Sequence, residues 1–235
     1  MLPDKKTKPI YKLEKYHWLI YGQQKIGKST FVSQFPNILF IPTEPGLGAL
    51  EVYKATDKEY IQTWEEFLDI CSDIARAHKE GKLKFNMVAI DTIDNLYDSC
   101  LEYTCRKEGI RHPSEGSFGA GWAAVSNELK RVILKLAEMV RIVFISHDTE
   151  RETEIKKIKI MRTQPTITGG EKGRFITGLV DFIGYVTTDI ENSDNRVVYF
   201  RGHDALVAGD RTNRLGTTMN FDYKQIKEKF EKGEK

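Results

Sequence analysis

Gly22-Gln23-Gln24-Lys25-Ile26-Gly27-Lys28-Ser29, followed by Thr30, is the stretch that decides how this chain folds. It fits the spacing G-x-x-x-x-G-K-[ST], and each fixed position has a physical reason. Gly22 and Gly27 permit backbone angles that a Cβ forbids, so successive N–H groups can turn inward around phosphate oxygens. Lys28 sets a point charge between β- and γ-phosphates, and Ser29 offers a hydroxyl to Mg²⁺. The flanks agree. His17-Trp18-Leu19-Ile20-Tyr21 reads as a buried strand. Lys28 to Gln34 opens a helix whose N-terminus adds its dipole to an anion site. Gly22 to Thr30 are therefore expected to cradle a nucleoside triphosphate.

Working outward, strand-like apolar runs recur at Trp18–Tyr21, Ile38–Ile41, Met87–Ile90 and Arg141–Ile145. Helical periods lie between them at Trp64 to His78, Ile93 to Arg106 and Trp122 to Val140. In the last, Val125, Leu129, Val132, Ile133, Leu136 and Val140 form a three-four apolar stripe. Such alternation predicts an α/β fold, a mainly parallel sheet flanked by helices. After residue 147 shorter runs, Ile158–Met161, Phe182–Thr187 and Val197–Phe200, predict an antiparallel β extension of that sheet. Asn192 to Asn195 supplies the turn of a hairpin. Residues 1–15 read as a flexible N-terminal segment, 16–221 as one domain, and 222–235 as a charged, fraying amphipathic tail.

Composition closes some classes. The 235 residues carry a formal charge of only +2, so nucleic-acid binding has to come from a local patch. No apolar run is long enough to span a membrane. Met1 to Pro9 lacks the apolar core of a signal peptide. Cys71, Cys100 and Cys105 show no C-x-x-C spacing, and an odd count without an export signal suits reduced thiols in a cytoplasm. His17, His78, His112 and His203 show no metal-ligand spacing.

Turnover of a triphosphate needs a metal anchor, a base for water, a γ-phosphate sensor and a completing charge. Met87-Val88-Ala89-Ile90-Asp91 is an apolar strand ending in a carboxylate, the Walker-B arrangement, and Asp91 joins Ser29 as metal anchor. Thr92 and Asp94 stand ready to cap the helix that follows. Glu44, in Pro42-Thr43-Glu44-Pro45-Gly46-Leu47-Gly48, is expected over the γ-phosphate, from a strand beside the phosphate loop, to deprotonate water. Ile142 to Ile145 ends in Ser146-His147, which puts His147 where it can feel the γ-phosphate. Lys156, Lys157, Lys159, Arg162, Lys172 and Arg174 face a single acid, Glu171, and read as a pliable basic loop for DNA phosphates. Glu150, Glu152 and Glu154 precede it. Arg211, with Arg214 as the spare, sits in a late turn and is the candidate arginine finger toward a neighbouring subunit's nucleotide.

In this order the residues resemble the RecA-like recombinase core. More closely, they resemble phage-encoded AAA-type ATP-binding proteins that include the Sak-type single-strand annealing ATPases. Gly22–Thr30, Phe40 to Gly46, Val88–Asp91, Ile145-Ser146-His147 and Gly209-Asp210-Arg211 carry the likeness. It implies ATP with Mg²⁺, Glu44 as catalytic base and single-stranded DNA as partner in recombination or annealing. It also implies a homo-oligomer with nucleotide at subunit interfaces, a single-strand-binding protein as a further partner, and the cytoplasm of a bacterial host. The sensor in such proteins is usually glutamine, and here it is His147. A P-loop small-molecule kinase and a nucleotide-dependent interaction module without turnover are the alternatives.

Overall fold

Short, fully apolar runs separated by amphipathic helices satisfy their backbone in a sheet covered on both faces, and the chain folds that way. The computed structural model describes residues 4–155, 157–167, 170–192 and 194–233. Its strands are β1 (Trp18–Gly22), β2 (Ile38–Pro42), β3 (Tyr53–Lys54), β4 (Met87–Asp91), β5 (Arg141–Ser146), β6 (Asp148–Ile155), β7 (Ile158–Pro165), β8 (Phe182–Thr188), β9 (Arg196–Tyr199), β10 (Gly209–Asp210) and β11 (Thr218–Asn220). The α-helices are α1 (Lys28–Val32), α2 (Trp64–Lys79), α3 (Ile93–Glu108), α4 (Ala120–Met139), α5 (Gly170–Leu179) and α6 (Tyr223–Lys232).

The main sheet runs β11-β9-β8-β1-β5-β4-β2-β3, with β10 added to the start of β8. From β8 through β3 the neighbours are parallel. Every residue of β1, β2 and β4 is buried, as strands covered on both faces must be. Alternation along β1 sends Leu19 into the core formed with α2, α3, α4 and α5. It sends Trp18 and Ile20 into the core formed with α1 and α6. Local signals fix helix entry as well: the Thr63 hydroxyl accepts from Glu66 N at 3.3 Å, and the Glu66 carboxylate accepts from Thr63 N at 3.1 Å, closing a capping box. The tail helix α6 buries Tyr223, Ile226 and Phe230, and its charges face outward. Ile226 and Phe230 are fully covered, worth about 1.5–3 kcal/mol each, so this segment is part of the second core.

Three expectations change. First, β2 does not adjoin β1: β4 and β5 lie between them, so Glu44 does not come from a strand beside the phosphate loop. Second, β8 is parallel to β1, and the antiparallel extension begins only with β9 and β10. Third, Ile158–Pro165 does not extend the main sheet. It pairs antiparallel with β6 in a separate two-stranded ribbon. Asp148-Thr-Glu-Arg-Glu-Thr-Glu-Ile155 has no apolar run, and a ribbon only partly covered, burying Pro165 alone, needs none. Cross-strand pairs such as Lys159 Nζ to Glu152 Oε1 at 2.8 Å hold it. Among the described residues no helix is long and apolar enough to cross a membrane.

Candidate nucleotide site

The chemistry gathers at the C-terminal edge of the parallel strands, where β1, β4 and β5 end in Gly22, Asp91 and Ser146 and β2 ends in Pro42, two residues before Glu44. β1 runs into the phosphate loop at Gly22, whose φ is 154°, and a Cβ there would overlap the carbonyl oxygen of Val186 at the end of β8. Gly27 (φ 97°) delivers the chain into α1, which is shorter than expected and stops at Val32. Ile26 is buried beneath the loop, while Gln23, Gln24 and Lys25 form its exposed crest. Lys28 is 6% exposed and folds back, Nζ donating to Gly22 O at 2.8 Å and Gln23 O at 2.7 Å. Burial lowers its pKa, with Asp91 the largest opposing influence. A desolvated ammonium in this position gains most from a polyanion.

Ser29 Oγ donates to Asp91 Oδ2 at 2.6 Å, joining the two motifs. Burial raises the Asp91 carboxyl above its usual range, and the Ser29 bond opposes that. One hydroxyl and one carboxylate are hard oxygen donors, too few for a cage. That donor set suits Mg²⁺, which keeps waters and takes phosphate oxygens. Among the described residues no group of three or more His, Cys, Asp or Glu is arranged to hold a metal by itself. Thr30 follows, exposed at the rim.

Glu44 reaches the site because Thr43 anchors the end of β2 to the end of β4. Thr92 N donates to Thr43 Oγ1 at 2.7 Å, Thr43 Oγ1 donates to Thr92 O at 2.8 Å, and Thr43 N donates to Asp91 O at 2.7 Å. Beyond this clasp, Asn95 Nδ2 donates to Glu44 Oε2 at 3.0 Å, and His147 Nε2 lies 3.4 Å from the same oxygen. The His147 contact is the largest influence lowering the Glu44 pKa and the largest raising that of His147. His147 is itself held by Asp94, which accepts from His147 N at 2.9 Å and from Ser146 Oγ at 3.0 Å. Lys28, Ser29, Glu44, Gly46, Asp91 and His147 line one cavity of about 470 Å³.

The sequence reading therefore names the walls of this cavity and misses its braces. Asn95 lies in the first turn of α3, just past the strand that ends in Asp91, and no spacing in the sequence points to it. Thr92 occupies the N-cap of α3 without a side-chain bond, and Asp94 accepts from His147 N instead. Thr43 and Ser146 carried no signal of their own.

Other expected residues lie elsewhere. Arg211 is not poised as a finger: Nη1 is paired with Asp181 Oδ1 at 2.8 Å, and Nη2 donates to Gly178 O and Val180 O, both at 3.0 Å. Asp181 immediately precedes β8, whereas Gly22 pairs with Val186, so the anchor lies about 16 Å along the strand direction from the phosphate loop. Arg214 is likewise committed, Nε donating to Phe230 O at 2.7 Å with its guanidinium 3.7 Å over the Tyr11 ring. Over its described residues the basic segment is mostly regular structure rather than a loop: β7, a turn at Thr166-Ile167, and the start of the helix α5. Lys156 and the Lys172 side chain lie outside the described residues. Lys157 and Arg174 are exposed. Lys159 is paired with Glu152, and Arg162 stands directly opposite Arg151.

A glycine-built loop after β1, a carboxylate ending β4 and a strand inserted between the two define a P-loop nucleotide-binding protein with a mixed α/β core. A family model described as "AAA domain" matches residues 14–212. The chain belongs to this AAA domain family, and nucleotide binding with ATPase-type activity is the class of function that membership carries. No curated protein matches the chain.

Proposed function

We propose that the protein hydrolyses ATP and acts on single-stranded DNA, in recombination or annealing of the phage type. The observation that carries the reading is the direct connection at His147: the residue touching the Glu44 carboxylate is followed, one peptide bond on, by the exposed ribbon β6–β7. Glu44, kept ionised by His147 and Asn95, is the base that takes a proton from water. Lys28 and the loop amides hold the triphosphate. Ser29 and Asp91 are the residues that would hold Mg²⁺, which supplies charge neutralisation on the phosphates when bound. A change in the Glu44–His147 contact alters the root of the ribbon.

Strand alternation puts Thr149, Arg151 and Thr153 on one ribbon face with Gln164, Arg162 and Ile160, and leaves Glu150, Glu152 and Glu154 on the other. Arginines facing each other without an acid between them repel, and DNA phosphates relieve that repulsion. Arg151 thus joins Arg162, Lys157 and Arg174 as the candidate contacts. The likeness to Sak-type proteins supports a homo-oligomer with nucleotide at subunit interfaces, a single-strand-binding protein as partner, and action in a bacterial cytoplasm. The test is phosphate release from ATP with and without a single-stranded oligonucleotide, beside a gel shift with a non-hydrolysable ATP analogue. Stimulation and a nucleotide-dependent shift are expected. Turnover indifferent to DNA, with no shift, overturns the DNA half of the proposal.

A further inference from the structure

The phosphate loop has two flanks. On one, β5, β4 and β2 bring His147, Asp91 and Glu44, the groups that meet the reacting end of a triphosphate. On the other, β8 and then β9 follow β1. Arg196 opens β9, paired with Thr188 at the end of β8, and its backbone oxygen is held by Phe221 N at 2.8 Å. Its side chain turns onto the loop. A Cβ added to Gly27 would overlap Arg196 Nη1 and stand 3.5 Å from Cζ. Gly27 thus does two jobs, adopting φ 97° and leaving room for a guanidinium.

No described residue forms a hydrogen bond or ion pair with the Arg196 side chain, although acids are close in sequence. Asp189 Oδ1 accepts from Glu191 N at 2.9 Å, and Asp194 N donates to Asn192 Oδ1 at 3.1 Å. A planar cation with five donors and no acceptor among the described residues, set against a loop built for oxyanions, matches a phosphate. Its position relative to Glu44 says which one. The γ end faces the β5 side, so the β8–β9 side meets the part of the chain that leads to the nucleoside.

We propose that Arg196 is a binding residue for the α-phosphate of the nucleotide, clamping it from the flank opposite the catalytic groups. This rests on the nucleotide reading of the same loop. It gives the β8–β9 hairpin a task beyond closing the sheet. It also supplies a cation within the subunit that Arg211 and Arg214, tied into the fold, do not supply.

The test is calorimetric titration of the full chain and of Arg196→Ala and Arg196→Lys with ATP, ADP, GTP and CTP, with thermal melts in the absence of nucleotide. Arg196→Ala is expected to weaken ATP and ADP alike by about tenfold, or about 1.4 kcal/mol, whichever base is attached. Arg196→Lys is expected to recover part of that loss, and the melts to be unchanged, because no described residue pairs with the side chain. Unaltered affinities overturn the proposal. So does a loss confined to ATP, which would put the guanidinium at the γ-phosphate, or one confined to purines, which would make it a stacking platform. If the parent chain binds none of the four, the nucleotide reading itself fails, a result separate from any difference among variants.

Discussion

Replacing Glu44 by glutamine keeps the length and shape of the side chain and removes only its charge and basicity. Two contacts bear on the result, Asn95 Nδ2 at 3.0 Å and His147 Nε2 at 3.4 Å. A glutamine carbonyl still accepts from Asn95, so the side chain keeps its position. The His147 contact is long and both partners are partly exposed, at 21% and 32%, so its loss costs no more than about 1 kcal/mol of stability. Removing a positioned general base costs about 10²–10⁴ in rate, or about 3–5 kcal/mol of barrier. Stability and turnover should therefore separate. The assay is steady-state phosphate release, with equilibrium ATP binding and a melt on the same preparation. Binding within about threefold of the parent, a melt shifted by no more than about 4 °C, and turnover down at least about a hundredfold are expected. Turnover within a few-fold of the parent at saturating ATP would refute Glu44 as base and leave the cavity a binding site with its base elsewhere.

Three further outcomes follow from the same geometry. Lys28→Ala removes charge-assisted bonds worth about 1.5–3 kcal/mol each, so titration should show ATP affinity falling by at least about a hundredfold. Retained affinity would remove Lys28 from the site. Gly22→Ala forces a Cβ onto the Val186 carbonyl, a backbone atom that cannot swing aside, and chemical denaturation should record a loss of more than about 2 kcal/mol; a parent-like midpoint would contradict the close approach of β8. Burial lowers the His17 pKa to about 4, and its Nδ1 accepts from Ile142 N at 3.0 Å. The unfolded chain therefore takes up this proton first as pH falls. The stabilisation is whole above about pH 6.5 and is lost toward about pH 4, by at most about 3 kcal/mol. Denaturation midpoints across that window should decline less steeply in His17→Asn, and parallel profiles would remove His17 from the acid response.

The candidate site was legible wherever its chemistry coincides with the end of an apolar strand. Glycine spacing, Lys28 and Ser29 identify the loop, and Asp91, Glu44 and His147 each follow a run that has to be a buried strand. The braces were not legible, because Thr43, Asn95, Asp94 and Ser146 act through bonds between segments 49 to 53 residues apart. Arg211 is the converse case: expected as a finger, its guanidinium is paired within the chain with the carboxylate of Asp181, 30 residues away.

What the chain alone determined is local and periodic: a triphosphate cup after β1, buried strands ending in polar groups, and amphipathic helices between them. These follow from backbone freedom at two glycines and from the spacing of apolar side chains, which no distant contact has to supply. Tertiary structure decided the order of the strands, the separation of β6–β7 from the sheet, and which cations remain unpaired. Those depend on which segments meet: Asp181 neutralises Arg211, while the turn onto Gly27 leaves Arg196 with no acceptor among the described residues.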